Sequence, residues 1–381
     1  MKRLKICFVL GSNPSFLGGI SLFQKNFIDY LKFKKNDVDI TWVYKGKKNR
    51  RYSEKKVNYV EIKVPSIYPL DEIIFNKKVS SFLKKNHFDI INSHAVWGSW
   101  MTSYKKKKDQ KIIHTYHGTS FYFFKNHLER FNLIKKALLI PLLAFSFLVE
   151  KPPIKNAESI ICVSEHVKEE IVKLYGARKN INVIRTGVDL KNFKKRNKKI
   201  ILKRLNLNEE RFYGIYVGKG GYWTKGLDKV IRLSEKIYAL DKNYRLIVIG
   251  SDRKKVGHLL NKKFVVFLPN LSRKEIPLYY SISDIFFGLS RYEGGAPTMV
   301  TSEAMASRCL IVTDKEARQE IIENEKNGLI INQNYSEEAK RILKIFKNNK
   351  KLGNILKNSQ RKIKELSFEK WGENYLEKLL K

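Results

Sequence analysis

The sequence predicts an α/β fold in two domains, each built on a parallel sheet. Strand-like apolar runs alternate with helical patterns, which is the signature of parallel sheets. The runs fall into two series separated by a charged stretch. A chain of 381 residues also exceeds the size at which a single core keeps growing. Hydrophobic residues make up 43% and aromatics 12% of the chain, enough to fill folded cores and too much for a disordered protein.

The first series of strand-like runs is Lys5–Leu10, Val38–Tyr44, Val57–Ile62, Ile90–Ser93, Lys111–Tyr116, Ser159–Val163 and Asn182–Arg185. A helix is expected over Ser21–Phe33. The second series is Phe212–Val217, Arg245–Ile249, Phe264–Leu268, Ile285–Leu289, Leu310–Thr313 and Gly328–Ile331. Between them Lys191–Arg204, KNFKKRNKKIILKR, is a charge run suited to a solvated linker and the start of a helix. The expected division is therefore 1–190, a linker at 191–204, a second domain over 205–366 and a C-terminal helix over 367–381. In that last helix Phe368, Trp371, Tyr375 and Leu379 recur at helical spacing, an aromatic stripe that needs a surface to cover it.

Cys7, Cys162 and Cys309 are odd in number, far apart and set in apolar segments, which reads as buried thiols in a reducing compartment. The basic start MKRLKICFVLGSN has too short an apolar run for a signal peptide and leads into a glycine loop. The longest apolar segment, Ala137–Val149, falls short of the roughly 20 residues of a spanning helix. A cytoplasmic protein is expected. With 76 basic and 37 acidic residues the formal net charge is +39. Such an excess implies an anionic partner, whether nucleic acid, acidic membrane or phosphorylated substrate, or else a lysine-rich proteome. The runs Lys45–Lys56 and Lys105–Lys108, with the aromatic and lysine mixture of Ser120–Lys151, favour peripheral attachment to an anionic inner membrane face. Nucleic-acid recognition motifs are lacking, so no specific nucleic acid is expected.

In open parallel sheets ligands bind beyond the C-terminal strand ends, so chemistry is sought in the loops there. After Leu10, the loop GSNPSFLGGIS brings Gly18 and Gly19 to a helix start, where a backbone can approach a diphosphate or sugar. It lacks the G-x-G-x-x-G dinucleotide fingerprint. His94 and His117 each follow a strand. His117, ahead of Gly118 and Thr119, is a candidate for hydrogen bonding near a reacting sugar, and His94 is a candidate on the acceptor side. No orienting carboxylate marks either as a general base. After Val217, GKGGYWTKGLDKV offers Gly218 and two lysines, Lys219 and Lys225, as point charges for phosphate oxygens. The Walker pattern is absent, which excludes a P-loop ATPase.

The stretch Arg291–Val312, RYEGGAPTMVTSEAMASRCLIV, is the most informative. Glu293, Gly294, Gly295, Ala296, Pro297 and Thr298 precede a helical pattern carrying Glu303. Proline favours the first helical turn, so a helix is expected to begin near Pro297. Free N–H groups there attract anions, and flanking carboxylates accept hydrogen bonds from hydroxyls. These are the parts needed to hold a phosphorylated sugar.

Taken in order, these segments resemble the large retaining glycosyltransferase family 4, whose members have the GT-B fold of two facing Rossmann-like domains. The match runs through Gly18–Gly19, His117–Gly118, ESIICVSEHVKEEI from Glu158, IRTGVDLKNF from Ile184, the Gly218–Gly226 loop and the segment ending Glu303-Ala304-Met305-Ala306. The resemblance implies a hexosyl transfer, without a metal, from a UDP- or GDP-sugar to a glycan or lipid-linked acceptor. The nucleotide sugar is then a substrate and no cofactor is expected. By the same resemblance Lys219 and Lys225 neutralise the donor diphosphate, Glu293 meets the sugar hydroxyls and Glu303 the ribose. The final helix crosses back onto the first domain, and the donor phosphate itself can accept the acceptor's proton.

The chain departs from the family pattern at several points. Nine residues separate Glu293 from Glu303, a longer interval than the paired-glutamate motif usually has. Lys219 stands where arginine is usual, and the Lys219–Lys225 loop is longer than usual. Arg308 takes the place of a glycine at a left-handed helix end, where a Cβ is penalised. Glu316 and Ala317 replace paired glycines. These departures keep a catalytically silent GT-B scaffold open beside the transferase. A nucleotide-sugar epimerase and a basic nucleic-acid-binding protein are the remaining alternatives.

Overall fold

The computed structural model describes every residue except 1–2, 17, 35–36, 129–132, 178–179, 219–221, 251–252, 269–270, 295–296 and 318. The chain forms two compact units, Met1–Arg185 with Trp371–Lys381, and Thr186–Lys370.

In the first unit the strands are β1 (Leu4–Val9), β2 (Val38–Gly46), β3 (Arg50–Glu54), β4 (Val57–Lys63), β5 (Ile90–His94), β6 (Lys111–Tyr116), β7 (Ser159–Cys162) and β8 (Ile181–Val183). Its helices are α1 (Gly19–Lys34), α2 (Leu70–Lys85), α3 (Ser120–Leu128), α4 (Leu133–Glu150), α5 (Pro152–Asn156) and α6 (Glu165–Tyr175). The sheet order is β3-β4-β2-β1-β5-β6-β7-β8. Every pairing is parallel except β3 with β4. Ile6 to Leu10 are fully buried, the continuous apolar run expected where helices cover both sheet faces.

The edge strand β3 was not expected, because the basic run Lys45–Lys56 carries no alternating apolar pattern. Its charges are partly consumed inside the unit. Lys45 lies 2.7 Å from Asp71 and 2.6 Å from Glu72, and Arg50 pairs with the buried Glu61. The exposed charges that remain on a short antiparallel edge discourage pairing with another chain.

The second unit carries β9 (Phe212–Val217), β10 (Tyr244–Ile249), β11 (Val265–Leu268), β12 (Ile285–Gly288), β13 (Leu310–Asp314) and β14 (Leu329–Ile331). Its helices are α7 (Lys198–Arg204), α8 (Leu227–Leu240), α9 (Arg253–Leu260), α10 (Ile276–Ile282), α11 (Met299–Ala306), α12 (Tyr335–Lys347), α13 (Asn349–Lys364) and the beginning of α14 (Phe368–Leu380). The order is β11-β10-β9-β12-β13-β14 with parallel pairing throughout. Part of the charge run read as a linker is built into this unit: α7 buries Ile201 and Leu202 in its core, and Asn197 caps it.

From Trp371 onward α14 belongs to the first unit. Trp371, Tyr375 and Leu379 are buried, and the first two pack on α1 through Phe23 and Phe27 at ring separations of 4.6–5.9 Å. Gly372 is needed for that approach, since a Cβ there would come within 2.3 Å of the Tyr30 ring. The aromatic stripe thus finds its covering surface on the first sheet's own helix.

Candidate functional site

Each sheet has one point where strand order reverses, between β1 and β5 in the first unit and between β9 and β12 in the second. Loops from neighbouring strands diverge at such a point and leave a crevice beyond the C-terminal ends. Among the described residues, Gly18 and Gly19 follow β1 and His94 closes β5, while Gly218 and Lys225 follow β9 and Glu293 and Gly294 follow β12.

In the second unit the loop after β9 ends at Gly226, where φ is +68° and a Cβ would lie 1.9 Å from the Leu289 carbonyl oxygen. Only glycine fits, and its compactness lets this loop touch the one after β12. Arg291 fastens the two together. Its guanidinium holds Asp228 through two 2.7 Å hydrogen bonds and lies 3.4 Å from the Trp223 ring centroid. Its backbone N–H donates to the Thr224 carbonyl. So fixed, Lys225 places its Nζ 2.7 and 2.8 Å from the two carboxylate oxygens of Glu293, and Ser290 Oγ donates to the same carboxylate at 2.7 Å. Lys225 keeps 37% of its side-chain exposure and Glu293 12%.

The helix expected near Pro297 begins two residues later, at Met299, because Thr298 caps it: its side-chain oxygen accepts from the Thr301 N–H at 3.2 Å. Pro297 is buried outside the helix. Glu303, on the buried face of α11, is 2% exposed. One of its oxygens pairs with Arg273, and Oε2 has no hydrogen-bond partner among the described residues. Burial pushes its carboxyl up, against the pull of the Arg273 guanidinium. Gly218 closes β9 with its N–H on the Ile249 carbonyl, and Gly294 lies in the bend beside Glu293. Lys219, Gly295 and Ala296 fall outside the described residues. The structure therefore brings Lys225 and Glu293 into contact and gives Glu303 a different partner.

In the first unit Gly19 opens α1, and the Gly18 carbonyl accepts from Leu22. His94 closes β5 and His117 follows β6, the adjacent strand. Their rings meet, His94 Nδ1 lying 2.9 Å from His117 Nε2. Behind them His94 Nε2 is 2.8 Å from Asn92 Oδ1, which also accepts from Tyr375 Oη at 2.9 Å. Phe23 stands edge-on to His117 with centroids 4.8 Å apart. Burial holds the His94 imidazole well below its ordinary range and lowers His117 to about 3, so both are neutral at physiological pH. Gly118 has φ +135°, and this turn carries the chain away from His117.

Arg273, Arg291, Asp228, Ser290, Asn92 and Tyr375 were not among the expected site residues. A signal existed for Asn92, a polar residue two positions before His94 on the same face of an otherwise apolar strand. None existed for Arg273 among 76 basic residues.

Residues 17–192 match the model described as Glycosyltransferase Family 4, and residues 197–362 match that described as Glycosyl transferases group 1. The chain belongs to glycosyltransferase family 4. It is 24% identical to an uncharacterized glycosyltransferase of Methanocaldococcus jannaschii, over 92% of this chain and 91% of the relative. It is 23% identical to the alpha-monoglucosyldiacylglycerol synthase of Acholeplasma laidlawii, over 76% and 74%. Among solved structures it superposes on a sucrose-phosphate synthase from Thermosynechococcus elongatus with a TM-score of 0.80 at 16% identity, covering 98% of both chains. An Anabaena protein solved with UDP and glucose gives 0.72 at 16% identity, over 99% of both. These likenesses establish the family-4 fold: an α/β protein with two parallel-sheet, Rossmann-like halves of the GT-B type.

Proposed function

We propose that this family-4 protein transfers a hexosyl group, with retention of configuration, from a nucleoside-diphosphate sugar to a glycan or lipid-linked acceptor. The observation that carries the reading is the Lys225–Glu293 contact at 2.7 Å, set where β9 and β12 diverge. A donor diphosphate entering there would draw Lys225 to its oxygens and free the Glu293 carboxylate to accept hydrogen bonds from sugar hydroxyls. The buried, unpartnered Oε2 of Glu303 suits a ribose hydroxyl. Charge on the departing diphosphate would be met by Lys225, by Lys219 and by N–H groups at the start of α11, which act without a metal ion. The resemblance supplies the retaining course, in which the donor phosphate takes the acceptor's proton. Solved relatives holding UDP-glucose favour a uridine donor.

Screening UDP- and GDP-sugars for thermal stabilisation tests the donor half. A ligand at about 100 times its Kd raises apparent stability by about 2.7 kcal/mol. Lys225→Met should abolish the shift with the cognate donor. Transfer should survive EDTA and be lost in Glu303→Ala. Equal signals from wild type and Glu303→Ala, with no turnover, would identify a silent scaffold.

For the acceptor, we infer a lipid-linked substrate reached from the membrane surface. Ile67, Ile73, Phe123, Ile140 and Leu148 are 41–66% exposed, and Tyr68 joins their segments through ring contacts with Phe124 and Phe145. Exposed lysines at 47–48, 55–56 and 105–108 in the same unit would add attraction to anionic lipid. Among the described residues no helix is long and apolar enough to cross a membrane. The kinship with a glucolipid synthase supports the same reading.

A further inference from the structure

Hydrogen-bond directions around the histidine pair are determined by partners that can act in only one sense. The Asn92 side-chain nitrogen lies 3.2 Å from the Ile113 carbonyl oxygen, an acceptor and nothing else, so the amide nitrogen must face that side. Asn92 Oδ1 then faces His94 Nε2 and Tyr375 Oη, at 2.8 and 2.9 Å. An amide oxygen cannot donate, so His94 carries its proton on Nε2. A neutral imidazole protonated there has a lone pair at Nδ1, and this nitrogen is 2.9 Å from His117 Nε2. His117 must therefore donate through Nε2. Its own lone pair is left at Nδ1, which no group bonds among the described residues. Tyr375 seals the far end: Thr115 Oγ1 lies 2.6 Å from its hydroxyl and takes a bond from the Asn92 amide nitrogen at 3.2 Å. The tyrosine hydroxyl thus accepts from Thr115 and donates to Asn92.

We propose that Asn92, held by Tyr375 of the C-terminal helix, acts through His94 as a positioning residue that fixes His117 in the Nε2–H tautomer, presenting Nδ1 solely as a hydrogen-bond acceptor to a ligand hydroxyl. His117 is half-buried and follows β6, where the sequence offered it as a hydrogen-bonding group near a reacting sugar, so the functional part of this inference rests on the transferase reading. The tautomer itself does not. An acceptor-only nitrogen takes a bond from a donor such as a sugar hydroxyl and turns away an ether or carbonyl oxygen, which can only accept. Both imidazoles are kept neutral by burial, which preserves the one-proton-per-ring pattern on which the chain of bonds depends.

The test is a long-range proton–nitrogen correlation spectrum of the full-length, unliganded protein labelled with 15N-histidine at pH 7.5, with His94→Gln and His117→Gln giving assignments. For both residues Nε2 should resonate as a pyrrole-type nitrogen and Nδ1 as a pyridine-type nitrogen. Asn92→Asp keeps an acceptor oxygen and should preserve the pattern. Asn92→Leu removes it and should give averaged nitrogen shifts at His117. Tyr375→Phe should lower kcat several-fold with KM little changed, and partly average the His117 signals. A wild-type His117 protonated at Nδ1 overturns the proposal, as does an unchanged tautomer in folded Asn92→Leu. If that variant does not fold, the wild-type spectrum decides alone. Absence of turnover with every sugar nucleotide would defeat the transferase reading without touching the tautomer result.

Discussion

Two backbone positions in the second unit show how a single Cβ decides geometry. At Gly226 a methyl group would meet the Leu289 carbonyl oxygen at 1.9 Å, and φ is +68°. Gly226→Ala must therefore distort the loop that carries Lys225, at a cost of about 1–3 kcal/mol from backbone strain. Denaturant titration should show the loss together with failure of the donor-induced thermal shift. Arg308 poses the opposite case. It holds φ +62° at the end of α11 with an exposed side chain, in the place where the sequence suggested a left-handed residue. Arg308→Gly should gain about 1 kcal/mol by removing the left-handed penalty, seen as a Tm higher by a few degrees. An unchanged or lower Tm would mean that the arginine side chain contributes something that glycine lacks.

The helical elements of the first unit carry a pH dependence. Glu150, at the end of α4, is 1% exposed. Its carboxylate accepts from the Ser120 N–H at the start of α3 and from Tyr175 Oη of α6, at 2.8 and 2.7 Å. Burial nevertheless raises it to about 7, with the nearby Glu170 adding to the rise. In the folded chain the group stays protonated between about pH 4.5 and 7, where the unfolded chain has already ionised. The unfolded state then binds fewer protons, so stability falls as pH rises through that window. The buried, neutral His94 and His117 act in the opposite sense below about pH 6.5 in any variant, so the contribution is read as the stability of wild type minus that of Glu150→Gln, which should fall as pH rises from 5 to about 7 in melting curves. The same scale governs the last helix. Deleting Trp371–Lys381 would expose the α1 rings of Phe23 and Phe27 and remove two buried aromatics of α14. At about 1.5–3 kcal/mol for each large apolar side chain, the truncated chain should be markedly less soluble and less resistant to denaturant.

For the molecule as a whole, a net charge of +39 is only partly spent on internal pairs such as Lys229 with Asp314 and Lys198 with Asp284. The exposed remainder predicts association with vesicles containing anionic lipid that weakens steeply between low and physiological salt. Co-sedimentation measures it. Replacing Ile140 and Leu148 together by serine should reduce binding at high salt, where only the apolar term persists. Retention of the variant at wild-type levels would assign the attraction to charge alone.

Much of the fold was legible because its signals are local. Alternating apolar runs located thirteen of the strands described within a few residues of their observed bounds. β3 escaped because a charged edge strand needs no buried face. Candidate site residues were legible where they lie on strand-end loops, as with His94, His117, Lys225 and Glu293. Their partners were not, since Arg273, Asn92 and Tyr375 reach them from distant segments and look like ordinary surface or core residues in sequence. The sequence by itself determined two parallel-sheet halves, their glycine loops and the charged side chains these loops carry, because period, turn residues and charge act over a few positions. Only the tertiary structure decided that Lys225 holds Glu293, that Glu303 keeps one oxygen free, and which ring nitrogen of His117 bears the proton. Those outcomes depend on hydrogen-bond partners brought together across up to 283 residues of chain, and no local pattern encodes such a distance.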